Sequence, residues 1–150
     1  MIADILGEGR IKLHLNGSTK SDILRELVSL VGESEEEKGK ILESVLERER
    51  RMSTGVGKGV AIPRARLASS AQLKGAFGLS PEGVDFDALD GAPARMFFLL
   101  VSPQGDERTY VKTLSLLARI LNHDSFRENL LKAESPKEVL ELFGEEEQSR

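Results

Sequence analysis

Residues 95–101 read Arg-Met-Phe-Phe-Leu-Leu-Val, with Pro93 before them and Pro103 after. An apolar run of this length, bounded by prolines and without alternation, reads as a central strand covered on both faces. Such a strand needs layers on either side, and the flanking sequence supplies them. C-terminal to it, the loop S-P-Q-G-D-E leads into a helix with Val111, Leu114, Leu117, Ala118 and Leu121 along one face. Phe126, Leu130 and Leu131 start a short helix. Ser135-Pro136 is a cap followed by proline at the first helical position, opening a last helix through Val139, Leu140 and Phe143 to Gly144.

N-terminal to the run, residues 81–93 hold three Asp, two Gly and two Pro and read mostly as loop. Residues 72–80 read as a strand with glycine interruptions. Val60-Ala61-Ile62 is a short buried strand ended by Pro63. Residues 52–59, MSTGVGKG, are a glycine-rich loop. Before it, a helix opens at Ser34 with Glu37 completing a capping box. Its buried stripe is Ile41, Leu42, Val45 and Leu46. Glu35, Glu36 and Glu37 fill its first turn and Arg48, Arg50 and Arg51 its last, as the helix dipole prefers. Thr19 caps an earlier helix, with Asp22 three residues on, carrying Ile23, Leu24, Leu27, Val28 and Val31 and stopped by Gly32. Ile11–Leu15 alternates as a half-buried strand. The expected fold is α/β: one domain over residues 1–145, a mixed sheet flanked by helices, with a flexible tail over 146–150.

The composition excludes several classes. Of 150 residues, 39% are hydrophobic and 31% charged, ordinary for a folded domain and wrong for a collagen or a pure coiled coil. The net charge of -4 argues against nucleic acid as partner, which needs a cationic face. No cysteine is present, so disulfides, thiolate metal sites and cysteine nucleophiles are excluded, and a cytoplasmic location is expected. No apolar run approaches the roughly 20 residues of a membrane span, and MIADILGEGRIKLHL lacks the layout of a signal peptide. No cofactor or metal is called for. The two histidines are His14 and His123.

The glycine loop T54-G-V-G-K-G59 is not a Walker loop, because Gly59 rather than Ser or Thr follows Lys58. Nor is it a dinucleotide loop, which leaves a strand and enters a helix; this one leaves a helix and enters a strand. Two readings stay open: a turn that needs positive φ, and a loop whose backbone N–H groups line a shallow anion site. Asp85, Asp87 and Asp90 read as turn chemistry, since a loop calcium site needs more oxygens in register. Glu33 to Glu37 is a solvated helix start.

The stretch R48-E-R-R-M-S-T-G-V-G-K-G-V-A-I-P-R-A-R66 resembles the active-site signature of the type 2 enzyme IIA family of the bacterial phosphoenolpyruvate-dependent sugar phosphotransferase system. That signature reads approximately R-E-x-x-x-S-T-G-h-G-x-G-h-A-h-P-H. Residues 83–103 resemble the family's segment along its central strand, and T113-L-S-L-L-A-R-I-L121 its following helix. The resemblance covers about residues 1–145 and leans toward the nitrogen-regulatory branch. It implies a histidine at the end of the signature that accepts a phosphoryl group from the histidine carrier protein. Transporting members pass it to a IIB domain, and regulatory members bind target proteins instead.

This chain departs where that chemistry belongs. Arg64 stands at the implied phospho-acceptor position, and Tyr110 at the position of the family's second histidine. Neutral imidazole offers a lone pair, with an ordinary pKa near 6.5. Guanidinium stays protonated and offers none. Tyr110 accepts a phosphoryl group only if its pKa of about 10 is strongly lowered. His14 and His123 read as surface or capping residues. Arg48 matches the family arginine beside the phosphohistidine. Arg48, Ser53, Thr54, Gly55, Gly57, Lys58, Arg64 and Tyr110 are therefore the candidate binding residues, with no confident catalytic one. Arg48, Lys58 and Arg64 are expected to converge on one shallow pocket.

The first functional expectation is a binding module that has lost its acceptor. It contacts regulatory target proteins or phosphotransferase proteins (the histidine carrier, IIB) through the former phosphohistidine face. A second is a working phosphotransferase component using Tyr110 or His123. A third is a sensor of small anions such as phosphate or sulfate, and a fourth is drift, with Arg64 merely tolerated at the surface.

Overall fold

The structure, a computed structural model, describes residues 1–68 and 72–149. The chain runs α1 (Ile2–Leu6), a 3-10 turn (Glu8–Arg10), β1 (Ile11–Lys12), α2 (Lys20–Val31), α3 (Glu35–Arg51), β2 (Gly55–Gly57), β3 (Val60–Ala61) and β4 (Arg64–Leu67). It continues through β5 (Lys74–Val84), β6 (Ala94–Pro103), α4 (Glu107–Leu121), α5 (Asp124–Leu131) and α6 (Pro136–Gln148).

The predicted apolar strand is β6, and it is central. β5 lies antiparallel on one side, Phe77 facing Phe98. On the other side β3 and then β4 run parallel to it, Val60 facing Met96 and Arg64 facing Leu100. β1 adds to β5 in parallel and β2 to β3 in antiparallel, so the sheet is mixed. Side chains alternate along β6. Met96, Phe98 and Leu100 enter one core with α1, α4, α5 and α6. Phe97, Leu99 and Val101 enter a second core with α2 and α3. Phe143 of α6 is ringed by Phe77, Phe98 and Phe126 in edge-on contacts at 5.2–5.7 Å.

The caps form where local chemistry demands them. Thr19, Ser34 and Ser135 accept N–H bonds from Asp22, Glu37 and Glu138. Asp106 does the same for α4 through Thr109.

Elsewhere the elements differ from the sequence reading. β1 covers only Ile11–Lys12, after which the chain bends so that Leu15 lies against Gly78, where a Cβ would stand 2.7 Å from Leu15. Gly55–Gly57 of the glycine loop is a short strand rather than loop. β4 was not expected at all. β5 runs past Ser80 to Val84 through an irregularity opposite β6, so Pro81–Val84 is strand rather than loop. On α4 the buried face is Tyr110, Thr113, Leu117, Ile120 and Leu121, while Val111 is 55% exposed. The helix is rotated about one position from the predicted stripe, because the hydroxyl-bearing Tyr110 and Thr113 go inward. α6 passes through Gly144 to Gln148. Glu147 anchors it by accepting from the Ile2 N–H at 2.6 Å and pairing with the N-terminal ammonium at 3.0 Å. Arg150, the end of the expected tail, lies outside the described residues.

Candidate functional site

Pro63 divides the strand beside β6 into β3 and β4. It has no N–H, but its carbonyl accepts from the Leu100 N–H at 2.9 Å, so the chain stays in register across the break. Ala65 and Leu67 enter the core shared with α2 and α3. Arg64 and Arg66 therefore project to the opposite face, the one covered by α4.

Arg66 is engaged there through both terminal nitrogens. Its guanidinium meets Glu107 at two nitrogens, each at 2.8 Å. A third contact reaches the Pro103 carbonyl at 3.4 Å, and the guanidinium carbon stacks 4.6 Å from the centre of the Tyr110 ring. The hydrogen bonds to Glu107 raise the Arg66 pKa, and the same bonds lower that of Glu107. Arg64 sits two residues earlier, half-buried, facing Leu100. Four buried polar atoms of this neighbourhood have no hydrogen-bond partner among the described residues: Arg64 Nε, Arg66 Nε, Ser102 Oγ and the Tyr110 hydroxyl.

The glycine loop is held from beneath by a carboxylate that stands second in the signature R48-E49 and is not among the candidate site residues. Glu49, 8% exposed, accepts from the Thr54 N–H at 2.9 Å, the Thr54 hydroxyl at 2.7 Å and Lys20 Nζ at 3.0 Å. Lys20 also reaches Asp87 at 3.0 Å. Burial alone would lower the Lys20 pKa, but the hydrogen bonds to Glu49 and Asp87 outweigh it and the pKa is raised. The sequence signal for Glu49 was its spacing: 41, 45 and 49 continue the buried stripe of α3. The Ser53 hydroxyl donates to the Phe86 carbonyl and accepts from the Gly55 N–H at 3.0 Å. Gly55 packs on Ala88 and Phe86, where an added Cβ would lie 3.2 Å away. The turn reading of the loop holds, with φ of 93° at Gly57, 59° at Lys58 and 80° at Gly59. The anion reading loses the Gly55 N–H, which is already bonded to Ser53.

The expected cations sit on different elements of the fold. Lys58 lies at the β2–β3 turn. Its N–H goes to Asp90 at 2.9 Å and its Nζ to Asn122, at the end of α4, at 2.8 Å. A cavity of about 180 Å³ there is lined by Val56, Lys58, Ala118 and Leu121 among others, without Arg48 or Arg64. Val60 and Arg64 are four register positions apart on β6, about 13 Å along the sheet. Arg48 is exposed in the last turn of α3, in the helix layer opposite the face to which Arg64 projects. Tyr110 is brought to Arg66 and to the same face as Arg64. His14 is exposed beyond β1. His123 occupies the N-cap position of α5 without a capping side-chain bond, its Nδ1 2.9 Å from Glu146. Asp85 and Asp90 bond backbone N–H groups of Asp87 and Ala92, which is turn chemistry. Among the described residues no cluster of three metal-ligating side chains forms, and no helix is long and apolar enough to cross a membrane.

With this geometry in hand, the comparisons are specific. Residues 4–146 match the family model described as phosphoenolpyruvate-dependent sugar phosphotransferase system, EIIA 2. The chain is 33% identical over 146 residues to the fructose-specific EIIABC component of Bacillus subtilis, covering 96% of this chain but only 23% of that protein. The crystal structure of the nitrogen regulatory protein IIA-Ntr from Neisseria meningitidis superposes with a TM-score of 0.89 at 35% identity, covering 94% of this chain and 97% of that one. Mannitol IIA of Escherichia coli, solved in complex with phosphorylated mannitol IIB, shares the fold with a TM-score of 0.74 at 23% identity, covering 92% and 96%. The chain belongs to the type 2 enzyme IIA family of the phosphoenolpyruvate-dependent sugar phosphotransferase system.

Proposed function

We propose that this chain is a regulatory IIA module of the nitrogen-regulatory kind that carries no phosphoryl group and works in the cytoplasm through protein contacts on the face around Arg64. The observation that carries the reading is the identity of the side chain delivered by the β3–Pro63–β4 segment. It is a guanidinium, which has no lone pair for phosphorus. The other candidates are poorly placed to replace it. The Tyr110 hydroxyl is buried, with Arg66 stacked on its ring. His123 is held by Glu146 at the far end of α4.

The partners expected are regulatory targets, the histidine carrier or a IIB domain, with phosphate or sulfate as a small ligand of the same face. The rigid scaffold of the signature is retained: the buried Glu49 anchor and the positive-φ turn still shape the surface. Titration of isotope-labelled chain with the histidine carrier and with a IIB domain tests this reading by NMR. Perturbed resonances should cluster at 52–66 and 107–111. Perturbation confined to other surfaces, or none with either protein and with no regulatory target recovered, contradicts it.

A further inference from the structure

We propose that the segment 14–18 and the last residues of β5 enclose a binding site for a neutral polyol the size of one sugar ring, held by His14, Asn16, Ser18, Ser80 and Glu82. The site lies away from the Arg64 face. Leu79, next to Ser80, pairs with Met96 near the start of β6, whereas Arg64 pairs with Leu100 near its end and on the other side of that strand.

The inference starts from a buried hydroxyl. Ala76 enters the core shared with α2 and α3, so Ser80, four residues on along β5, turns to the same side. Ser80 is 6% exposed, its hydroxyl has no hydrogen-bond partner among the described residues, and it lines a cavity of about 290 Å³. Native proteins leave few buried polar side chains unpaired. His14, Asn16, Ser18 and Glu82 line the same cavity, and their side chains likewise bond to nothing among the described residues.

Both walls are held in place without using these side chains. Glu26 accepts from the Asn16 N–H at 3.0 Å and from the Gly17 N–H, and pairs with Lys12 at 2.9 Å. Gly17 packs so closely on α2 that an added Cβ would stand 2.5 Å from that of Asp22. On the facing wall Arg95 Nε donates to the Pro81 carbonyl at 3.0 Å. Gly83, at a φ of 84°, lies against Pro93, where an added Cβ would meet the ring at 2.9 Å. The cavity is therefore set by backbone anchored on both sides.

The lining selects the chemistry of the ligand. The volume is that of roughly ten water molecules, at the small end of ligand sites, which suits one sugar ring and excludes a nucleotide. No lysine or arginine lines the cavity and Glu82 does, so an anion is repelled. Glu82 only accepts hydrogen bonds, while the serine hydroxyls, the Asn16 amide and a neutral imidazole both donate and accept. A cation brings donors alone and would leave the donors of Asn16, Ser18 and Ser80 idle. A polyol hydroxyl donates and accepts in one group, so a neighbouring pair can give to Glu82 while taking from Ser80 and Asn16.

The isotope-labelled full-length chain is titrated with glucose and with sorbitol, and separately with ammonium chloride and sodium sulfate at matched ionic strength, and the amide resonances are followed by NMR. At least one polyol should saturate, with shifts gathered at 14–18 and 80–83. Glu82→Ala should weaken that binding about tenfold or more, the loss expected for a hydrogen bond to a charged group, and Ser80→Ala about threefold or more. Neither should lower the melting temperature without ligand, because neither side chain has a partner within the protein. A purely structural role would do the reverse, lowering the melting temperature and sparing the binding. Saturation by ammonium or sulfate at these residues, no response to either polyol, or polyol binding unchanged in both variants overturns the proposal. The titration with protein partners reads 52–66 and 107–111 instead, so the two readings fall separately.

Discussion

Replacing Glu49 with alanine removes one acceptor from three donors. The carboxylate takes the Thr54 N–H, the Thr54 hydroxyl and Lys20, and both Glu49 and Thr54 are buried. After the substitution two buried donors of Thr54 lose their partner, at about 1–3 kcal/mol each. Lys20 keeps only Asp87, whose side chain is 75% exposed, so that remaining pair is worth about 0–1 kcal/mol. The expected total is about 3–5 kcal/mol, in line with breaking a buried ion pair at one end. Glu49→Gln keeps one acceptor oxygen and should lose roughly half as much. Urea unfolding followed by circular dichroism reads both, with the slope against urea unchanged if only the native state is affected. Thr54→Val closes a double-mutant cycle, and its coupling to Glu49→Ala should fall within about 0.5–3 kcal/mol. A loss below about 1 kcal/mol for Glu49→Ala, or zero coupling, would refute the role given to this carboxylate.

Three further outcomes follow from the same structure. Leu99 is fully buried on the central strand, so Leu99→Ala should cost about 2–5 kcal/mol in a urea titration; under 1 kcal/mol would remove β6 from the core. Gly57→Ala forces an L-residue to a φ of 93° and puts a Cβ 3.1 Å from the Asp90 carboxylate, so it should cost at least about 1–2 kcal/mol, read as a drop of several degrees in melting temperature. Glu26 and Glu37 should make the fold acid-sensitive. Burial alone would raise the Glu26 pKa, but bonds from the Asn16 and Gly17 N–H groups and Lys12 outweigh it. The Glu33 N–H and Lys74 lower Glu37. With folded pKa values below the ordinary value of about 4.3, their stabilisation is complete above that pH and is lost as pH falls through the lowered values. The urea midpoint should drop below about pH 4, and Glu26→Gln should flatten that dependence; a midpoint constant from pH 7 to pH 3 would contradict the assignment.

Legibility in the sequence followed the range of the forces involved. The caps at Thr19, Ser34 and Ser135 were readable because a side-chain oxygen and an N–H three residues on are a local event. β6 was readable because six apolar residues in a row, Met96–Val101, leave little alternative to burial. β4 was not, because Arg64-Ala65-Arg66-Leu67 after a proline looks like a charged loop. It is a strand only because Glu107, 41 residues away, neutralises Arg66 and β6 supplies the ladder. Gly144 looked like a helix stop, but Glu147 tethers the next turn to the N-terminus. In the site, the signature located Arg64 and the loop. Ser102 carries no local mark of its burial, and the placement of Arg48, Lys58 and Arg64 on different elements is set by strand register and by the helix layers, which composition does not encode. The alternation of Arg64 and Arg66 with Ala65 and Leu67 marks that both arginines share a face, as the 41, 45, 49 spacing marks Glu49 as buried.

The central claim is that no side chain of this protein carries a phosphoryl group. Intact-mass spectrometry of the full-length chain after incubation with phosphoenolpyruvate, enzyme I and the histidine carrier measures this directly, with a competent IIA in the same tube as control. The account predicts an unchanged mass for this chain while the control gains one phosphoryl group. A stoichiometric gain on this chain, at His123, Tyr110 or elsewhere, would contradict it and establish a working phosphoryl carrier with a non-standard acceptor.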